Sequence, residues 1–468
     1  MTAVHDGVMR HFDLCIIGSG SGNSIPDDRF ADQKIAMVER GVFGGTCLNV
    51  GCIPTKMFVY PADLAASPTQ AERLGVELQL NKVRWAEIRD RIFGRIDPIS
   101  QGGEEWRASN DNLTLFRAEA HFTGPKTLDT GTGETITADR FVLAAGSRAV
   151  VPEIPGIDDV TVHTSNTVMR LPELPASMII IGGGFIAAEF AHVFSAFGTS
   201  VTILNRSEAL LRAEDRDVSE RFTALMSEQV DVQLGRTFTR VERLDGDRVR
   251  VISADADGHE TSVDADVLLV ATGRVSNADT LNLDATGVEV DEQGNVVVDD
   301  HQRTSVDGIF ALGDISSPHQ LKHVANHEMR VVQHNLLHPD SMIKSDHRFV
   351  PHAVFSEPQV ASVGLTEQPA EEQGIRYVTA IQDYGSIAYG WAMEDTDHFA
   401  KLLADPQTGL LLGAHLIGPQ ASSLIQPLIQ AMSFGLSAQE MARGQYWIHP
   451  AMAELIENAL LALPLDES

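Results

Sequence analysis

FDLCIIGSGSGN, residues 12–23, is a short apolar run that breaks at once into glycines at Gly18, Gly20 and Gly22. Phe12 to Ile17 has the length and composition of a buried strand. A glycine-spaced turn directly after a strand lets backbone N–H groups close on a pyrophosphate at a helix N-terminus. The expectation for residues 12–40 is therefore strand, turn, helix, strand. Glu39 ends the second strand, IAMVE, about 20 residues on, where an acid can hold a ribose hydroxyl. A lone GxGxxG carries little weight, because glycine turns are common; the strand before it and the acid after it give this one its meaning. Asn23 stands where a third glycine would let helix and strand approach closely, and Cys15 reads as a small buried residue.

The pattern returns at Met178, where MIII runs into GGGFIAAE with Gly182, Gly184 and Ala187 at the GxGxxA positions. Two such units imply two dinucleotides. The next strand, VTILN, ends in Asn205 instead of an acid, with Arg206 beside it and Arg212 shortly after. Guanidinium pairs with phosphate through charge-assisted hydrogen bonds, so this strand end favours a 2′-phosphate, and NADPH over NADH. Either arginine alone would read as a solvated surface residue.

Between the two fingerprints lies GVFGGTCLNVGCIPTK, residues 41–56, which holds two of the three cysteines in the chain. Gly44, Gly45 and Gly51 free the backbone to bend, so Cys47 and Cys52 can meet without a long loop. Structural zinc would want four ligands, and no second Cys or His pair follows at short spacing. Two unconnected core cysteines are the plainer alternative, but such a position rarely carries GGTC and GC in one turn. The stretch reads as a redox-active dithiol.

Length and composition set the frame. A chain of 468 residues is too long for one core and should split into about two to four domains. Its 35 basic and 65 acidic residues give a net charge of −30, which repels polyphosphate and argues against nucleic acid. The first residues, MTAVHDGVMRHF, lack a basic cluster followed by an apolar run, so the expectation is no secretory signal and a cytoplasmic enzyme. Met178 to Phe197 is apolar, but three glycines, Glu189 and His192 make it a strand entering a helix, not a membrane span. Residues 72–117 read as helical and polar.

GGTCLNVGCIPTK resembles the active-site segment of the flavin-dependent pyridine nucleotide disulfide oxidoreductases, a family that includes glutathione reductase and dihydrolipoamide dehydrogenase. The resemblance implies an α/β fold of two Rossmann-like dinucleotide-binding domains plus a C-terminal α+β dimerisation domain. FAD binding would fall to residues 1–150 and 275–348, NADPH binding to 151–274, and the dimer interface to 349–468. It implies FAD contacts at Gly45, Thr46, Ala145, Gly146, Gly313 and Asp314, and places Gly273 and Arg274 at the crossing segment VLLVATGRVSNAD, also as cofactor-binding residues. In LKHVANHE the chain departs from the LTPVA of many relatives, with His323 in place of proline.

The same resemblance assigns the chemistry. Cys52 would stand against the flavin and Cys47 would face the substrate as interchange thiol. Lys56 would pair with Glu189 near the flavin, a pairing that does not follow from spacing. In QYWIHPAMAELIENALL, Pro450 suits the first position of a helix, which puts His449 at its mouth and Glu454 a little over a turn further in. HPxxxE resembles the family's acid/base pair, which works on the partner subunit's dithiol and so implies a homodimer.

Strings outside the shared active site, among them FGRIDPI, FIAAEFAHVFSAFG, KSDHRFVP, YGWAMEDT and QYWIHP, resemble one branch of the family across almost the whole chain. That branch reduces the disulfide of mycothiol, a thiol built of cysteine, glucosamine and inositol. The tail, ALPLDES, lacks the C-terminal cysteine pair of mercuric reductases and large thioredoxin reductases. Glutathione reductase and dihydrolipoamide dehydrogenase are the enzyme alternatives, though the latter carries an acid where Asn205 stands. A flavin-binding subunit of a multienzyme complex is the non-enzyme alternative.

Overall fold

The computed structural model describes residues 9–466. The first eight residues of the segment read as lacking a secretory signal, and the last two of the tail, lie outside that range. The chain forms two compact units.

The first unit comprises the described part of Met1–Pro54, with Arg89–Val150 and Arg274–His347. Its core is a sheet in which Leu113–Phe116, Ile35–Val38, Arg10–Ile17 and Thr135–Leu143 lie side by side in parallel, Ile309–Ala311 also pairing parallel to Thr135–Leu143. Two shorter strands, Thr127–Asp129 and His121–Gly124, extend it antiparallel. Leu14 and Ile16 join one apolar cluster while Cys15 and Ile17 join another. A strand buried on both faces has no polar side, which is why residues 12–17 read as a continuous apolar run.

One expectation for this unit is corrected. No α-helix follows GSGSGN; the chain makes two short 3₁₀ turns, Ser21–Ser24 and Asp28–Phe30, before the strand Ile35–Val38. Pro26 cannot donate to a continuing helix, and the Asp27 carboxylate accepts from the Arg29 N–H, starting a new turn instead. Asn23 therefore faces no helix–strand packing problem; its Oδ1 accepts from Arg107 Nε at 2.7 Å.

The second unit comprises Thr55–Ile88, Val151–Gly273 and Arg348–Ser468 as far as described. Asp231–Gln233, Ser200–Leu204, Ser177–Ile181, Val267–Val270 and Val162–His163 form a parallel sheet in that order. Ser177–Ile181 leads through the glycine turn into the helix Phe185–Ala196, as the sequence pattern anticipates. The last third builds an antiparallel sheet of His352–Val354, Val360–Gly364, Leu411–Ile417, Phe399–Ala404 and Val378–Asp383. Its apolar face is covered by Gln426–Phe434, Ala438–Arg443 and Glu454–Leu461.

Residues 72–117 are not one helical stretch. The helix Cys52–Arg73 ends where Gly75 takes a φ of +75° and its N–H, with that of Val76, caps the last carbonyls. A second helix, Trp85–Ala108, follows after an irregular connection, and Leu113–Phe116 is already strand. Among the described residues no helix is long and apolar enough to cross a membrane.

Candidate functional site

The cysteine turn is built by its glycines. Gly44 and Gly45 both hold positive φ, +99° and +74°, and a Cβ on Gly45 would fall 2.6 Å from the Gly20 Cα of the first nucleotide turn. Only glycine permits that approach. The short helix Gly45–Asn49 carries Cys47, half-buried, and Cys52 opens the next helix, exposed. The Asn49 amide donates to the carbonyls of Phe43 and Gly45, pinning the turn from inside.

The two sulfurs are electrostatically unequal. The Cys47 thiol is pushed well above its ordinary range by its hydrogen bond to Cys52, then by burial and by charge on Cys52; Lys322 and the Ile53 amide act in the opposite direction.

Around the first nucleotide turn the residues fit a bound dinucleotide. Gly18 has φ +108°, and a Cβ there would lie 2.2 Å from the Ala144 carbonyl oxygen. The half-buried Glu39 accepts from Ser19 N at 2.9 Å and Ser19 Oγ at 2.6 Å with Oε2, and from Gly41 N at 2.7 Å with Oε1. A carboxylate has about four lone-pair sites, so it is oriented and keeps capacity for a ribose. Asp314 Oδ2 accepts from Ser147 Oγ at 2.6 Å, and Gly313 N donates to the buried Glu328 at 2.6 Å. Arg274 reaches Ser147 through Oγ and the carbonyl, both at 2.8 Å. Asn277, from the same crossing segment, donates to the Ala145 carbonyl at 2.8 Å, and its N–H to that of Gly146 at 3.0 Å.

The second turn fits a dinucleotide in a different manner. The twelve-residue helix Phe185–Ala196 starts at Gly184 without a side-chain cap, and a Cβ on Gly184 would meet nothing within 4 Å. An uncapped helix start leaves its first N–H groups without a side-chain partner, the arrangement a pyrophosphate uses. Ala187 is buried in the helix, and a Cβ on Gly182, at φ +129°, would press on the Ala271 carbonyl. Arg206 and Arg212 are exposed and make no ion pair or hydrogen bond among the described residues. Asn205 is buried and spends its amide on the carbonyls of Ser207 and Ala209, at 3.1 and 3.0 Å. It shapes the loop that presents the two arginines.

Lys56 and Glu189 meet at 2.5 Å, within the second unit. Glu189 is almost wholly buried, also accepts from Phe355 N at 3.0 Å, and the Lys56 ammonium lies 4.4 Å from the Phe355 ring centre. Phe355 carries no motif that would have revealed this. His449 Nδ1 and Glu454 Oε1 are 2.7 Å apart, and the hydrogen bond from His449 holds the Glu454 carboxyl below its ordinary range. The helix itself starts at Glu454, so Pro450 does not occupy its first turn: residues 449–453 form turns, and the Ala451 N–H is held by the Glu454 carboxylate.

The family described as pyridine nucleotide-disulphide oxidoreductase matches residues 12–334, and the dimerisation domain of that family matches residues 350–460. The mycothione reductase of Mycobacterium tuberculosis is 54% identical over 466 residues, 97% of this chain and 100% of that protein. A mercuric reductase of Staphylococcus aureus is 33% identical over 98% of this chain and 83% of its own. Dihydrolipoyl dehydrogenase of Halobacterium salinarum is 32% identical over 96% and 95%. Among solved structures, the HOCl-induced flavoprotein disulfide reductase RclA of Escherichia coli superposes with a TM-score of 0.84 at 28% identity, covering 96% of this chain and 99% of that one.

Proposed function

The chain belongs to the flavin-dependent pyridine nucleotide-disulphide oxidoreductases, and from that premise we propose that it reduces the disulfide of mycothiol at the expense of NADPH. The observation that carries the reaction is the Gly44–Cys52 turn, seated by glycine contacts on the first nucleotide fold. The choice of substrate is supported by likeness to mycothione reductase over the full length of both chains.

In this reading FAD is held by Gly18, Gly20, Gly22, Glu39, Gly45, Thr46, Ala145, Gly146, Gly313 and Asp314, within residues 1–150 and 275–348. NADPH is held by Gly182, Gly184, Ala187, Arg206 and Arg212, within 151–274, the 2′-phosphate falling to the two arginines. Bound FAD supplies the relay that turns a hydride into the electron pair delivered to the dithiol. Lys56 and Glu189 hold a fixed charge pair beside that relay.

The protein's own steps are thiol chemistry. Cys47 gives its proton to His449 of the partner subunit and, as thiolate, attacks one sulfur of the substrate disulfide; a mixed disulfide forms and the first mycothiol leaves, taking that proton back from the imidazolium. Cys52, as thiolate, then attacks the Cys47 sulfur, restoring the Cys47–Cys52 disulfide and releasing the second mycothiol as a thiolate that takes its proton from water. Glu454 orients the imidazole, so the working unit is a homodimer formed through residues 349–468, in the cytoplasm.

The test is steady-state turnover of mycothiol disulfide, glutathione disulfide, lipoamide and thioredoxin, each with NADPH and NADH. Mycothiol disulfide with NADPH should give the highest kcat/KM; a higher value for any other disulfide overturns the substrate assignment. Purified protein that carries no FAD would remove the flavin relay.

A further inference from the structure

The nucleotide helix Phe185–Ala196 buries two polar side chains, Glu189 and His192, among alanine, phenylalanine and valine. Each is bonded to the helix Cys52–Arg73. Glu189 meets Lys56 at 2.5 Å, and the His192 imidazole meets Asp63, Nε2 to Oδ1, at 2.7 Å. A buried imidazole without a hydrogen-bond partner is costly, so this contact constrains where the two helices can lie. Lys56 and Asp63 share one face of their helix, seven positions apart and so roughly 10 Å along its axis. Glu189 and His192, three positions apart, share one face of the other. Two helices touching through a single polar pair can pivot about it. A second pair, set off along the axis, removes the pivot.

We propose that Asp63 and His192 are positioning residues for hydride transfer, holding the Lys56 helix at a fixed crossing on the helix whose start receives NADPH. The inference rests on the second glycine turn being the NADPH site and on Lys56 standing beside the flavin. In that step one hydride, with both its electrons, leaves NADPH as NADP⁺ and is accepted by the flavin. Neither Asp63 nor His192 exchanges a proton or an electron in it. Their bond acts through the helices, by keeping one from turning about the Lys56–Glu189 contact. Hydride transfer is sensitive to such placement, since an error of about 1 Å can cost about 100-fold in rate. His192 anchors the pair in the core, and Asp63, with its side chain 40% exposed, closes it from the solvent side.

The experiment uses FAD-loaded enzyme as wild type, Asp63→Ala, Asp63→Asn, His192→Leu and the double variant Asp63→Ala with His192→Leu. Stopped-flow reduction of the flavin is measured at saturating NADPH, the Kd of NADP⁺ by titration, and amide hydrogen exchange on the oxidised protein. Asp63→Ala and His192→Leu should each slow flavin reduction about tenfold while the Kd of NADP⁺ stays within about twofold of wild type. Exchange over residues 57–70 should quicken in both. The double variant should lose no more than either single one, because all three remove the same bond. Asp63→Asn still accepts from Nε2 and should keep most of the rate. Asp63 is half-exposed, so its variants decide the outcome even where His192→Leu fails to fold. Flavin reduction at the wild-type rate in Asp63→Ala overturns the proposal, as does an Asn variant as slow as the Ala variant. Losses that add in the double variant, or that appear in Kd instead of rate, overturn it too. A wild-type flavin that NADPH leaves oxidised would instead sink the reading of the second turn as the NADPH site, a separate failure.

Discussion

His449 is 70% exposed while its carboxylate partner Glu454 is 18% exposed, an imidazole offered to solvent by an anchored acid. Replacing His449 by Gln should slow disulfide turnover about 10²- to 10⁴-fold, the range a positioned acid/base supplies. Stopped-flow reduction of the flavin by NADPH should not change, and a matching loss there would remove His449 from the thiol half of the reaction. Lys401 makes the opposite case, a charge with no part in the chemistry. It is buried among Asp215, Asp217 and Glu367, and its side chain is 1% exposed. Lys401→Met strands those carboxylates and should cost about 3–5 kcal/mol in denaturant unfolding. At this scale the sequence was readable where chemistry is rare, at three cysteines in 468 residues, and mute for Lys401, whose partners lie far along the chain.

The loop from Asn205 to Asp215 shows how an element is placed. Asn205 folds its start, Leu211 N donates to the Gly183 carbonyl at 2.7 Å, and Glu214 is gripped by His352 at 2.6 Å and Ser362 at 2.5 Å. The two arginines ride on this frame. Arg206→Ala and Arg212→Ala should each lower kcat/KM for NADPH about tenfold or more, a charged hydrogen bond being worth about 1.5–3 kcal/mol, with little change for NADH. Equal losses with both nucleotides would place the arginines elsewhere.

The Glu214–His352 pair also predicts a pH dependence. Burial opposes the charge on each, but their mutual hydrogen bond prevails, so His352 is raised above 6.5 and Glu214 lowered below 4.5. A raised histidine contributes stability below its unfolded value that is lost as pH climbs through its folded one. The Tm advantage of wild type over His352→Gln should thus be present at pH 6 and shrink toward pH 9; an advantage that grows with pH refutes the pairing. Element by element, the second nucleotide fold was legible because strand, glycine turn and helix are contiguous. The helix expected after GSGSGN was not there, because Pro26 and the Asp27 cap outweigh the motif's usual continuation.

For the whole molecule, the decisive expectation concerns two chains. Tyr446, Ile448 and Phe434 stand exposed in the segment matched by the dimerisation domain, apolar surface suited to a second copy. If His449 serves the partner's dithiol, Cys47→Ser and Glu454-intact chains mixed with His449→Gln chains should regain activity. Each mixed dimer then has one site with an intact dithiol from one chain and an intact imidazole from the other. No recovery in mixed dimers would place both halves of the site in a single chain.

What the sequence determined alone is what short-range chemistry encodes: glycines that only one backbone path requires, a strand buried on both faces, two cysteines in one turn, a histidine five residues from its glutamate. The tertiary structure decided the pairs that span the chain, Lys56 with Glu189 across 133 positions and Lys322 with Ser21 across 301. No local spacing carries that information, because such partners are chosen by which helix packs beside which turn, and packing is settled by the burial of the entire core.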